Sequence, residues 1–296
     1  MPNSQLIRTI QSAITDEIFY ALGLRRQGFL RRYLGWVFTP VAKAFARIAA
    51  AVDEATAEGG PPAGCQKMLD LLGVEVQSMG RSTIPLVGPV IILANHPGAY
   101  DSMSIGSLLP RRDLKAIVAK TRFYQVLPHI HPELLYASDD QGDKLLVLRG
   151  AVEHLKQGGS LLQFGSGLIE PDPATHSVGE DVFTKWSPSI EILLRKVPEA
   201  QVVPTIASGV LLERFFHHPL VKLRKDLMDK RRLAEFIQII QQMLFPKTVS
   251  ATPRISFGES FTLAEIEASA KSRRMMPAVI DKMKEQLSQH LLWIGR

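Results

Sequence analysis

The chain has 296 residues, of which 46% are hydrophobic and 22% charged, with a single cysteine and a formal net charge of +6. That length and apolar share suit one large globular domain or a domain with an accessory piece, and exclude a disordered chain. The lone Cys65 excludes an intrachain disulfide and a cysteine-cluster metal site, and no run approaches the ~20 apolar residues of a membrane-spanning helix.

The charge is not spread evenly. Between Ile18 and Val52 stand Arg25, Arg26, Arg31, Arg32, Lys43 and Arg47 with no acid, so the rest of the chain is close to neutral. A local basic face beside apolar residues points to an anionic membrane surface. Nothing matches a nucleic-acid-binding fold, so no nucleic-acid partner is expected. Asp16 and Glu17 interrupt the N-terminus early, so no secretory signal is expected; the expected location is cytoplasmic, peripheral on a membrane.

Residues 1–71 read as a helical, basic, amphipathic N-terminal region, and 72–296 as an α/β domain with C-terminal helices. Thr39-Pro40 has the form of a helix start, with Thr as cap and Pro in the first turn. From there Val41, Phe45, Ile48 and Val52 line one face until Gly59-Gly60-Pro61-Pro62 ends the segment. That stripe suits either packing on the core or membrane contact. Phe29, Tyr33 and Trp36, beside Arg31 and Arg32, have the character of interfacial anchors.

Gly73 to Pro85 alternates loosely and predicts a strand or hairpin. Pro89 to Ala94 is apolar, rich in β-branched residues and bounded by Gly88 and Pro97-Gly98, which predicts a buried strand. The polar turn from Asn95 to Asp101 follows, and then Met103, Ile105, Leu108 and Leu109 recur at roughly helical spacing. Further strands are predicted at Leu114 to Ala119, Leu134 to Ala137, Ser160 to Phe164, Gln201 to Ile206 and Arg254 to Gly258. Helices are predicted at Gly142 to Gln157, Ser187 to Val197, Leu211 to Phe245 and Pro277 to Ile294. The long amphipathic stretch 211–245 carries Lys222, Arg224, Lys225, Lys230, Arg231 and Arg232, diluted by Asp226 and Asp229; it suits a solvated face or membrane contact. Strands alternating with helices give an α/β fold with a mostly parallel sheet flanked by helices.

The chemistry is expected where the buried strand ends, because ligands bind at the carboxyl ends of strands in open α/β sheets. A Pro-Gly turn after His96 lets the chain fold back, so that the Asp101 carboxylate reaches one imidazole nitrogen. The other nitrogen then faces the crevice as a proton acceptor, a role suited to a group with an ordinary pKa near ~6.5. Backbone N–H groups of the Gly165-Ser166-Gly167 loop, at another strand end, are candidate donors to an oxyanion. No Gly-x-Ser-x-Gly elbow and no glycine-rich phosphate cradle follows a strand. His129, His131, His217 and His218 lack partners at metal-ligand spacing, and no metal is expected.

Asn95-His96-Pro97-Gly98-Ala99-Tyr100-Asp101 resembles the first block of the glycerolipid acyltransferase superfamily, whose signature is His, four residues, Asp. Phe164-Gly165-Ser166-Gly167-Leu168-Ile169-Glu170-Pro171 stands where that family has Phe-Pro-Glu-Gly-Thr-Arg-Ser, and Val202-Val203-Pro204 where it has a late Val-Pro strand. The resemblance covers about residues 72 to 262. It implies transfer of a fatty acyl group from a thioester, of coenzyme A or of an acyl carrier protein, to the hydroxyl of a glycerol-phosphate or lysophosphatidate acceptor. His96 and Asp101 would be catalytic, no resident cofactor would be needed, and Lys120, Arg122, Ser166, Gly167 and Glu170 would contact substrate.

The departures are specific. Ser166 stands where the family has an acid, and Ile169 and Ser138 stand at or near positions of its phosphate-holding arginines. Glu170 is placed to replace the acid, and Lys120, Arg122 and Arg149 are the bases expected to serve in place of the arginines. A non-phosphate acceptor, or a lipid-binding protein without turnover, are the readings that compete with a glycerol phosphate.

Overall fold

The computed structural model describes residues 4–21, 29–98, 100–138, 140–175, 180–245, 248–249, 251–269 and 275–296. The chain opens with helices α1 (Ser4–Ala21), α2 (Phe29–Gly59) and α3 (Pro61–Leu72). It continues through β1 (Gln77–Met79), β2 (Val90–Ala94), α4 (Asp101–Leu108), β3 (Leu114–Ala119), α5 (Arg122–Gln125) and β4 (Leu134–Ala137). Next come α6 (Gln141–Lys156), β5 (Ser160–Phe164), α7 (Ser189–Lys196) and β6 (Gln201–Ser208). It closes with α8 (Glu213–Phe216), α9 (Pro219–Lys222), α10 (Leu227–Leu244), β7 (Arg254–Phe257), α11 (Leu263–Ser269) and α12 (Met275–Trp293).

The strands form one sheet in the order β1-β7-β6-β2-β5-β3-β4. β6, β2, β5, β3 and β4 run parallel, β7 is antiparallel to β6, and β1 is parallel to β7. The fold is therefore α/β with a mostly parallel sheet, as the alternation of elements predicts. β2 lies in the middle with all five residues buried, which is why its sequence is apolar on both faces. Ile91 and Leu93 enter the core formed with α6, α7 and α12, whereas Val90, Ile92 and Ala94 enter the core formed with α4, as the two-residue period of a strand requires.

Two sequence expectations are corrected, and one open alternative is decided. Pro40 does not start a helix: α2 begins at Phe29 and runs through it. Losing the Pro40 N–H is tolerated because Val41 beyond it packs into the core and α1 lies along the same helix. Residues 211–245 are not one helix. They form α8, α9 and α10. Pro219 separates α8 from α9, and the His218 ring accepts the Leu220 N–H at the new start. Residues 73–85 form no hairpin but a short strand followed by a tight turn at Arg81–Thr83.

The N-terminal stripe finds its use in packing. Val41, with Phe45, Ile48 and Val52 beside it, joins a core with Tyr100, Val210 and Met243. Trp36 is exposed. Arg25 and Arg26 lie outside the described residues, as do the side chains of Phe29, Arg31, Arg32 and Tyr33. No described helix is long and apolar enough to cross a membrane.

Candidate active site

β2 delivers the site. Past Ala94 its backbone no longer pairs as a strand with β6, but the Asn95 side chain continues the pairing. Asn95 Nδ2 donates to the Ala207 carbonyl at 3.0 Å, and Asn95 Oδ1 accepts the Ala207 N–H at 2.8 Å. On the other flank the Gly165 N–H donates to Ala94 O at 3.0 Å, and the Glu170 N–H donates to His96 O at 2.7 Å. His96 is thus fixed between the ends of β5 and β6, at the carboxyl edge where a crevice is expected.

The turn then folds back as predicted. His96 Nδ1 lies 2.7 Å from Asp101 Oδ2. Asp101 opens α4, is fully buried, and also accepts the N–H groups of Gly98 at 3.0 Å and Ser102 at 2.5 Å. With the Gly98 and Ser102 N–H groups aimed at the same carboxyl, the Nδ1 contact orients the His96 ring and turns Nε2 away from Asp101. The His96 side chain is 26% exposed and stacks on Phe164, with ring centroids 4.3 Å apart.

Glu170 is buried beside the His96 backbone. Its Oε2 accepts the His96 N–H at 3.1 Å and its Oε1 accepts the Trp186 indole N–H at 2.6 Å. Two glycines here have close neighbours. A Cβ on Gly165 would lie 1.9 Å from the Trp186 ring, and one on Gly98 would lie 2.0 Å from Glu235 Oε1. The second contact shows that Glu235 of α10 reaches the His96–Asp101 turn.

Electrostatics set the imidazole. Burial pulls His96 toward the neutral form, but Asp101, by charge and hydrogen bond, with Glu235 and Glu170 behind it, more than offsets this and raises its pKa above the usual 6.5. Burial raises Glu170 and Asp172 above the ordinary carboxylate range. Asp172 accepts the N–H groups of Ala174, Gly209 and Val210 at 2.8–3.0 Å, tying the loop after β5 to the end of β6. Arg231 of α10 is buried and feels the charges of Asp172 and Glu235; burial lowers its pKa from the ordinary arginine value.

The structure brings some of the expected site residues together and holds others apart. His96, Asp101 and Glu170 form one hydrogen-bonded unit. Ser166 and Gly167 lie in the loop after β5. The Ser166 hydroxyl donates to Leu168 O at 2.9 Å, and the Gly167 N–H donates to Phe164 O at 3.3 Å. Lys120 stands at the carboxyl end of β3, but its amine is held by Asp143 at 2.9 and 3.1 Å, and Ser138 Oγ donates to the same Asp143 at 2.6 Å. Arg122 pairs with Asp16 of α1 at 3.2 Å. Arg149 lines a groove on α6 with Leu145, Leu148 and Val152.

Sequence reasoning missed Glu235 and Arg231, which arrive from the distant α10, and also Asp172 and Trp186, whose roles depend on contacts their local sequence does not mark. It also missed the partner of His129, whose Nδ1 lies 2.8 Å from the buried Asp53 of α2. Among the described residues no group of three or more His, Cys, Asp or Glu is placed to hold a metal.

The fold and site define an α/β protein with a carboxylate-supported histidine at the carboxyl end of its central strand. No family model and no curated protein matches the chain. Among solved structures, the chain is similar to the crystal structure of the 1-acyl-sn-glycerophosphate (LPA) acyltransferase PlsC from Thermotoga maritima. The two share 14% identity, with 98% of each chain covered and a TM-score of 0.49.

Proposed function

We propose that the protein is an O-acyltransferase, with His96 as general base, that moves a fatty acyl group from a thioester of coenzyme A or an acyl carrier protein to the hydroxyl of a glycerol-phosphate or lysophosphatidate type acceptor. The observation that carries this reading is the 2.7 Å contact of His96 Nδ1 with the buried Asp101, which leaves Nε2 open at the carboxyl end of β2. The acceptor hydroxyl gives its proton to Nε2 as its oxygen attacks the thioester carbonyl. Asp101 stabilises the imidazolium, and the tetrahedral oxyanion collapses by expelling a thiolate, which takes that proton back. The products are an ester and a free thiol, and no side chain of the protein is acylated. Gly165 and Gly167 direct their N–H groups to Ala94 and Phe164, so the oxyanion donor expected from this loop falls to the Ser166 N–H. No resident cofactor or metal enters the reaction. A lipid acceptor places the protein at a membrane surface.

A second acceptor class has its own support. Lys120 and Arg122 are engaged by Asp143 and Asp16, while the charges nearest His96 are carboxylates. An anionic phosphate would meet that field unfavourably, whereas a non-phosphate hydroxyl lipid would not.

The test is an acyl-transfer assay on the purified protein with a long-chain acyl thioester. Glycerol 3-phosphate, lysophosphatidate and a phosphate-free hydroxy lipid serve as parallel acceptors. His96→Ala is expected to lower turnover by on the order of 10²- to 10⁴-fold with the fold intact. Product from the phosphate acceptors selects the first class, and product from the phosphate-free acceptor alone selects the second. No product from any acceptor, with wild type and variant equally folded, would rule out the acyltransferase reading and leave a lipid binder.

A further inference from the structure

We propose that residues 219–232, spanning α9 and the first turns of α10, form the surface by which the protein docks on an anionic membrane. Leu220, Leu223 and Leu227 are 54%, 78% and 50% exposed. Scattered single leucines on a surface are ordinary, but these three fall within one short segment. Exposed Lys222, Arg224, Lys225 and Arg232 stand among them, with half-buried Lys230, against the acids Asp226 and Asp229. Apolar side chains interleaved with cations in one exposed segment have the composition of an interfacial element, whose leucines enter the acyl boundary while its cations meet anionic headgroups.

Other parts of the molecule narrow the choice. The stripe of Val41, Phe45, Ile48 and Val52 is used up in the core, so that face of α2 does not meet a bilayer. Arg231, inside the same run as the exposed cations, turns inward to Asp172 and Glu235 and takes no part in the patch. Its inward turn is what ties the patch to the site. α10 begins at Leu227, and the carboxylate of its Glu235 lies against Gly98 of the catalytic turn. Eight helical residues span about 12 Å, so one rigid element joins the docking surface to the turn that carries His96. As a route for a lipid acceptor the inference rests on the acyltransferase reading; as a binding surface it does not.

The test is co-sedimentation of the full chain with phosphatidylcholine vesicles and with mixed phosphatidylcholine–phosphatidylglycerol vesicles. The wild type is expected on the mixed vesicles and His96→Ala with it. The triple variant Lys222→Glu, Arg224→Glu, Lys225→Glu is expected to bind about tenfold more weakly or worse, while the triple variant Lys156→Glu, Arg195→Glu, Lys196→Glu, which makes the same charge change on α6 and α7, stays within about twofold of wild type. The uncharged pair Leu223→Ser and Leu227→Ser is expected to weaken binding severalfold. These side chains are exposed, and an unchanged thermal midpoint verifies each variant's fold. Absence of the wild type from mixed vesicles overturns the proposal, as does equal loss in both charge-reversal variants or no effect of the leucine pair. Vesicle binding without acyl transfer would leave docking standing and remove the enzyme reading; acyl transfer to soluble acceptors without vesicle binding would do the reverse.

Discussion

The 2.7 Å between His96 Nδ1 and Asp101 Oδ2 has a consequence that can be read in solution. In the proposed role of general base His96 works in its neutral form, and the surrounding carboxylates hold it protonated to a higher pH than free imidazole. The acidic limb of kcat/KM against pH is therefore expected to have its midpoint above 6.5, with activity rising as pH rises through it. Glu235→Gln removes one of the charges that favour the imidazolium, so the midpoint should move down while Asp101 still orients the ring. An unmoved midpoint would place Glu235 outside the electrostatics of the base. Asp101→Asn keeps the shape but accepts poorly from Nδ1–H, and turnover should fall by on the order of 10⁴-fold, as expected when a buried carboxylate holds a catalytic tautomer. Cys65 is the counterexample. Burial pushes its thiol up to about 12, so it stays protonated and packs against Gly106 as a small apolar side chain.

At the scale of the elements, Asn95 does for the end of β2 what a strand residue would have done. Its amide exchanges two hydrogen bonds with Ala207 of β6, inside a buried region. Asn95→Leu would leave the N–H and C=O of Ala207 without those partners. The expected loss is about 1–3 kcal/mol per unsatisfied group, seen as a lower urea midpoint at unchanged slope. Activity should fall as well, since His96 follows directly on the clamp. A variant as stable as wild type would show that the strand ends are held by other contacts. The ion pairs of Lys120 and Arg122 are of a different kind. Both are exposed, and pairs of that sort contribute at most about 1 kcal/mol, so they tie α6 to the end of β3 and α1 to α5 only loosely.

For the molecule as a whole, the most consequential buried titratable group lies away from the candidate site. His290 of α12 is fully buried, with Nε2 2.8 Å from Ser208 Oγ and Nδ1 2.8 Å from Ser256 Oγ, and Gln286 donates to the same Ser256. This network fastens the last helix to β6 and β7. Burial, with Arg254 nearby, lowers its pKa to about 4. A group that binds its proton less readily folded than unfolded contributes stability that is complete above ~6.5, declines as pH falls below that, and is gone near pH 4. The gap corresponds to about 3 kcal/mol. Urea unfolding between pH 7 and pH 4 should show a loss of that order, and His290→Gln should remove most of the pH dependence. A variant that kept the full acid loss would assign it to the carboxylates instead.

Much of this architecture was legible in the amino-acid order. Val90 to Ala94 reads as a strand buried on both faces because a central parallel strand must be apolar throughout, and β3, β4 and β5 fall at their predicted residues for related reasons. The pairing of His96 with Asp101 was also legible, since a Pro-Gly turn five residues long leaves few ways to fold. Local pattern failed at Thr39-Pro40, where packing of α2 overrides a good capping signal, and it left residues 73–85 open between a strand and a hairpin, where the structure has a short strand at the sheet edge. It also failed for the bases. Lys120 and Arg122 are near the site in sequence but turn to Asp143 and Asp16, whereas Arg231 and Glu235 arrive from α10. By itself, then, the sequence determined the alternating elements, the central strand and the His–Asp turn, because propensity, periodicity and turn chemistry act over a few residues. Only the tertiary structure decided which charges surround His96 and which apolar face stays exposed, because both depend on helices far apart in the chain packing over the same strand ends.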